Sequence, residues 1–140
     1  MKKYEMTNES IEFIGVKLFR IRALQDFRDV KAGDLGGYIE KEDNLSQYDY
    51  CWVYGNARVY GDAEVYKNTH LLQIGAIGSR DGITTFFRTK HKEIYVSCGC
   101  FTGDIEKFEK AVEEEHKGTK HEKTYKLAIE LAKLQIELED

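Results

Sequence analysis

Between Trp52 and Thr69 the chain repeats a six-residue phrase, WVYGNARVYGDAEVYKNT, in which valine returns at 53, 59 and 65 and tyrosine at 54, 60 and 66. Asn56, Asp62 and Asn68 keep the same period, as do Ala57, Ala63 and Thr69. A valine and a small residue four positions later point to one side of an extended chain. Glycine beside Asn or Asp supplies the corner between one short face and the next. The pattern predicts a short hexapeptide-type β-solenoid with valines inward and tyrosines outward. A meander of hairpins turning at Gly55-Asn56 and Gly61-Asp62 is the alternative, with strands of only about four residues.

Upstream, Lys17 to Leu24 alternates as a strand, with Phe19, Ile21 and Ala23 on one side and Leu18, Arg20, Arg22 and Leu24 on the other. The glycine-rich stretch Val30 to Ile39 lacks the features of a phosphate loop or a dinucleotide fingerprint, and turn geometry accounts for it. Downstream, Leu71 to Ser79 is apolar with breaks at Gly75 and Gly78, and Ile83–Lys90 and Glu93–Cys98 read as a hairpin. Asp104 is placed to cap a helix carrying Ile105, Phe108, Ala111 and Val112 on its apolar side. Past Gly118 a second helix puts Leu127, Leu131, Leu134 and Leu138 on one stripe, which reads as core or as a helix partner.

The expected fold class is therefore mostly β with C-terminal helices (α+β). Residues 1–70 hold an N-terminal strand and the short β-solenoid; residues 71–140 hold a small β-hairpin plus two-helix unit packed on it. A triangular coil takes about 18 residues, so residues 34–70 make about two coils, too few to bury their own ends. The expectation is a homo-oligomer, a trimer or a dimer built partly on the C-terminal helices.

Charge narrows the functional classes. A formal charge of −4 with 33% charged residues gives no bulk attraction to nucleic acid or to an anionic membrane. No apolar run approaches the roughly 18 residues of a membrane span, and the first ten residues do not read as a signal peptide, so the expected location is cytoplasmic, the host cell cytosol. Cys98-Gly99-Cys100 is too close for an ordinary disulfide, and the three cysteines read as small buried residues. His91 could join Cys98 and Cys100 on a metal, but the spacing and the missing fourth ligand argue against it, so no metal and no cofactor is expected.

The stretch from Arg80 to Lys92 runs against the overall charge, with four basic residues and one acidic. Ser79, Arg80, Thr84, Thr85, Phe86, Arg88 and Lys90 there are the parts needed to hold a phosphorylated, nucleotide-like ligand. The competing reading is an ordinary hairpin with a basic face, since alternation sends Thr84, Phe86 and Arg88 one way and Thr85 and Phe87 the other. Arg20 and Arg22 could grip a phosphate as well, or pair with Asp26, Asp29 and Asp34. No catalytic set is indicated by position; His70 would be the general base if the repeats served an acyltransferase, and His91, His116 and His121 read as solvated.

The order LFRIRALQDF, VKAGDLGGYIE, WVYGNARVYGDAEVY, IGSRDGITTFFRTK and VSCGCFTGDIEKFE resembles a group of uncharacterised phage and prophage proteins. Those proteins vary mainly in the number of YGNA-type hexads between fixed terminal segments. The resemblance implies a viral or prophage origin. By analogy with phage anti-defence proteins, the expected function is an accessory binding protein, a sponge sequestering a nucleotide-like host signal. The alternatives are a structural protein docking on a phage or host protein, and a hexapeptide-repeat acyltransferase.

Overall fold

Two long alternating segments at the start of the chain pair as an antiparallel hairpin, β1 (Tyr4–Phe13) with β2 (Val16–Ala23). The computed structural model describes residues 1–139. After the hairpin come β3 (Leu35–Ile39), β4 (Arg58–Val59), β5 (Leu71–Ile77), β6 (Gly82–Arg88), β7 (Ile94–Cys98), β8 (Phe101–Asp104), α1 (Ile105–Glu115) and α2 (Lys120–Gln135). The strands form two sheets of four, ordered β1-β2-β3-β4 and β5-β6-β7-β8.

This overturns the expected β-solenoid: the chain is α+β with two four-stranded sheets, and no coil of a solenoid closes. Within the repeats only Arg58–Val59 forms a named strand, parallel to β3 through Tyr38↔Arg58 and Ile39↔Val59. Leu45↔Val65 adds one parallel bridge and Ala63↔Thr89 an antiparallel one. The repeat period did report which side chains turn inward. Val53, Val59, Ala57, Ala63 and Val65 are all buried, but they pack on Ile21, Ile39 and Phe87 from ordinary sheet strands instead of filling a closed triangle.

The tyrosines divide. Tyr54 stays exposed and its hydroxyl donates to Asp29 at 2.9 Å. Tyr60, expected outward, is buried, with its ring edge-on to Phe13 and Phe87 and its hydroxyl 2.6 Å from Thr102 Oγ1. The Gly36-Gly37 pair is not a turn. Both glycines lie in β3, where an added Cβ would sit 2.7 Å from Val53 O at Gly36 and 2.5 Å from Ala57 O at Gly37. Only glycine lets the repeats approach β3 this closely.

Further along, the expected hairpin is a four-stranded antiparallel meander, because Leu71–Ile77 and Phe101–Asp104 are themselves strands. Both helices pack on this sheet. Asp104 caps α1 by accepting from Lys107 N at 2.9 Å, and Thr119 caps α2. In α2 the buried residues are Tyr125, Ala128, Ile129 and Ala132. Leu127, Leu131 and Leu134, expected as core or partner stripe, face solvent, since the small Ala128 and Ala132 let the helix lie closer on the face next to them.

The β1–β2 hairpin turns at Ile14-Gly15, with φ of 50° and 76°. A β-branched residue in this left-handed conformation costs about 1–2 kcal/mol, and Ile14 is exposed and gains little packing in return. Ile14→Asn, which suits the turn, should raise the melting temperature by roughly 3–5 °C in a calorimetric scan. Tyr60→Ser should cost about 3 kcal/mol or more by denaturant titration, whereas Tyr54→Ser should cost under about 1 kcal/mol.

Candidate functional site

The turn joining β5 to β6 and the turn joining β7 to β8 lie at the same end of the second sheet, and the facing end of α1 and the start of α2 complete a cavity of about 380 Å³. That volume lies in the range of small-ligand pockets, about 300–1,000 Å³. From the first turn come Ser79 and Arg80; from the second, Cys98, Gly99 and Cys100; from the helices, Phe108, Glu115, His116 and Tyr125. Phe101 adds an aromatic wall.

The rings are arranged as a partial cage. Phe101 and Phe108 lie 5.1 Å apart at 50°, Phe108 meets Tyr125 edge-on at 5.7 Å, and Tyr125 and His116 lie 5.5 Å apart at 34°. Polar groups follow in a chain. Thr84 Oγ1 donates to Cys98 Sγ at 3.3 Å, and that thiol donates to Tyr125 Oη at 3.8 Å. Burial, then the neighbouring Cys98, pushes the Tyr125 phenol well above its ordinary range, while Arg80 pulls the other way. The hydroxyl therefore stays protonated, accepts from the thiol and keeps its own hydrogen to donate. Arg80 is exposed and makes no salt bridge or side-chain hydrogen bond among the described residues. Its guanidinium and the Glu115 carboxylate are the two formal charges on the cavity wall.

Of the residues singled out in the sequence, Ser79 and Arg80 line the cavity. Thr84 stands behind Cys98, and Phe86 is fully buried against Phe108, so both support the wall without lining it. Thr85 lies on the other face, where its hydroxyl accepts from Arg58 N. Arg88 is 1% exposed, donating to Leu138 O at 3.0 Å and to Glu64 O and Oε1 at 3.1 Å beneath the Tyr66 ring, a structural clamp that does not line the cavity. Lys90 is exposed beside Asp62 at 3.8 Å. Arg20 bonds Glu9, Gly36 O and Tyr38, and Arg22 pairs with Glu5, so both are internally committed, though to glutamates of β1 and not to the aspartates after β2.

Two expectations about other groups change, those for the cysteines and for His116. Cys98 and Cys100 are not buried filler; one is half-buried and the other exposed at the cavity, and only Cys51 is buried. His91 pairs with Asp62 at 3.3 Å, and no group of three or more His, Cys, Asp or Glu able to hold a metal forms among the described residues. His116 is not simply solvated, but packed on Tyr125 at the cavity rim. Besides the Ser79–Arg80 stretch, the Cys-Gly-Cys tight turn following a strand could have pointed to this end of the sheet.

Gly78 lets the turn pack closely on Tyr125. Its φ is 84°, and an added Cβ would stand 1.7 Å from Tyr125 Oη and 2.4 Å from its Cζ. Gly78→Ala should therefore destabilise by more than about 2 kcal/mol, combining backbone strain with the clash. Tyr125→Phe in the same chain should recover part of that loss, so a double-mutant cycle by thermal melts should show coupling of about 0.5 kcal/mol or more.

No protein-family model matches the chain. A stretch of 62 residues is 39% identical to the uncharacterized acetyltransferase YdcK of Escherichia coli strain K12, a match covering 39% of this chain. The chain spans about a fifth of that protein's length, 19%. No helix among the described residues is long and apolar enough to cross a membrane.

Proposed function

We propose that this chain binds, and by binding sequesters, a small nucleotide-like molecule in the cavity between the second sheet and the two helices. The observation that carries the reading is Arg80: a guanidinium with no salt bridge or side-chain hydrogen bond among the described residues, at the rim of a cavity walled by aromatic rings. A free guanidinium suits a phosphate oxygen. Phe101, Tyr125 and His116 offer ring faces or edges to a flat base, and Glu115 accepts from an exocyclic amine or a ribose hydroxyl. Ser79 and the backbone of the Gly78 turn add donors beside Arg80.

A second reading, acyl transfer, is favoured by the partial similarity to the Escherichia coli acetyltransferase. It sits less well with the one histidine of the repeats: His70 is fully buried, accepts from Tyr66 N and packs edge-on against the Tyr66 ring. A general base needs reach to the proton it removes, and burial denies it.

Calorimetry against cyclic nucleotides and ADP-ribose derivatives separates the readings. Arg80→Glu should weaken binding by at least about tenfold to a hundredfold, the worth of one charge-assisted contact, while leaving the melting curve within about half a kcal/mol of wild type. Arg88→Glu should instead unfold the chain, because it buries an uncompensated charge. No heat with any of these compounds sinks the nucleotide reading. Release of free thiol from acetyl-coenzyme A, lost in His70→Ala with its fold intact, favours acyl transfer instead.

A further inference from the structure

The cavity wall carries its two charges on separate elements. Arg80, on the β5–β6 turn, is the positive one. The negative one is Glu115, the last residue of α1, and no basic residue stands in the last turn of that helix. A helix C-terminus has partial negative charge of its own, so the Glu115 carboxylate and the final carbonyls act in the same sense. Glu115 is exposed and makes no salt bridge or side-chain hydrogen bond among the described residues, which leaves its oxygens open as acceptors. Tyr125 lies within electrostatic reach of both charges, so they act on one shared side chain of the wall.

Charges of opposite sign leave the wall neutral, and this restricts what it can hold. A phosphodiester has a single negative charge, which Arg80 matches one to one. A phosphate monoester carries about −1.5 to −2 at neutral pH, and a diphosphate carries more. That excess finds no second cation on the wall and is repelled by Glu115. The volume, about 380 Å³, is near the low end for small-ligand pockets and suits one nucleoside unit better than two.

We propose, resting on the nucleotide reading above, that the ligand is a cyclic mononucleotide with one phosphodiester charge and an amine on its base, and that Glu115 selects it. The amine donates to the carboxylate, and the same carboxylate repels any second phosphate charge. Arg80 holds the phosphodiester, while Phe101 and Tyr125 offer ring surface to the base.

Calorimetry with cyclic AMP, cyclic GMP, cyclic IMP, AMP and ADP-ribose, on wild type and on Glu115→Gln, tests the proposal, with thermal melts confirming that the variant folds. Hypoxanthine is adenine with its amine replaced by a carbonyl, and guanine without its amine, so cyclic IMP is the control for both bases. The wild type should bind cyclic AMP or cyclic GMP at least about tenfold tighter than cyclic IMP, AMP or ADP-ribose. Glu115→Gln should weaken that preferred cyclic nucleotide by about threefold or more and tighten AMP and ADP-ribose, because the amide has no charge. A wild type that binds AMP or ADP-ribose as tightly as the cyclic compounds, or cyclic IMP as tightly as its amine-bearing relatives, overturns the inference and leaves the nucleotide reading standing. So does a folded Glu115→Gln variant that keeps the wild-type order of affinities. Heat with none of these compounds overturns both.

Discussion

Phe86 and Phe87 are neighbours on β6, so their rings leave opposite faces of one strand, and each is fully buried in a different apolar cluster. Phe87 closes the cluster made by the hairpin, β3 and the repeats, edge-on to Tyr60 at 5.6 Å. Phe86 closes the cluster under the helices, 6.0 Å from Phe108. A chain of this size has little interior to spare. Sharing one strand between two cores lets each have a wall without lengthening the chain. The cost is that β6 presents no side chain beyond Ile83 to the cavity: Thr84 to Thr89 are all buried. Ligand chemistry is left to the turns at the strand's start and to its neighbours.

That constraint explains where the sequence was readable. Local signals held: the valine and alanine positions of the repeats, the cap at Asp104 and the hydrophobic face of α1 are set by residues a few positions apart. The long-range arrangement was not legible. Hexad spacing reports which side chains turn inward, but β3 and β6 supply the wall they turn toward, and nothing in the repeat says so. Tyr60 and Tyr54 occupy equivalent positions in the phrase, yet only Tyr60 meets Phe13 and Phe87. In α2 the bulkier leucines looked like the core side, while Ala128 and Ala132 give the closer approach.

The candidate site was half legible for the same reason. The basic, hydroxyl-rich stretch contains Ser79 and Arg80, which line the cavity, but alternation along a buried strand takes Phe86 and Arg88 away from it. The rest of the wall, Cys98, Cys100, His116 and Tyr125, lies 18 to 45 positions past Arg80, and only the sheet order and the helix packing bring it there. Two arginines that look alike in sequence thus have opposite fates. Arg88 is consumed by Glu64 and Leu138, and Arg80 is left uncommitted.

The Arg88 clamp also sets a path for mechanical load. Its Nε holds Leu138 O, Thr69 O accepts from Glu137 N, and Lys92 holds Glu139, so the segment after α2 is stapled to β6, to the repeats and to the β6–β7 turn. Tension applied there is borne first by these bonds and not by the helix.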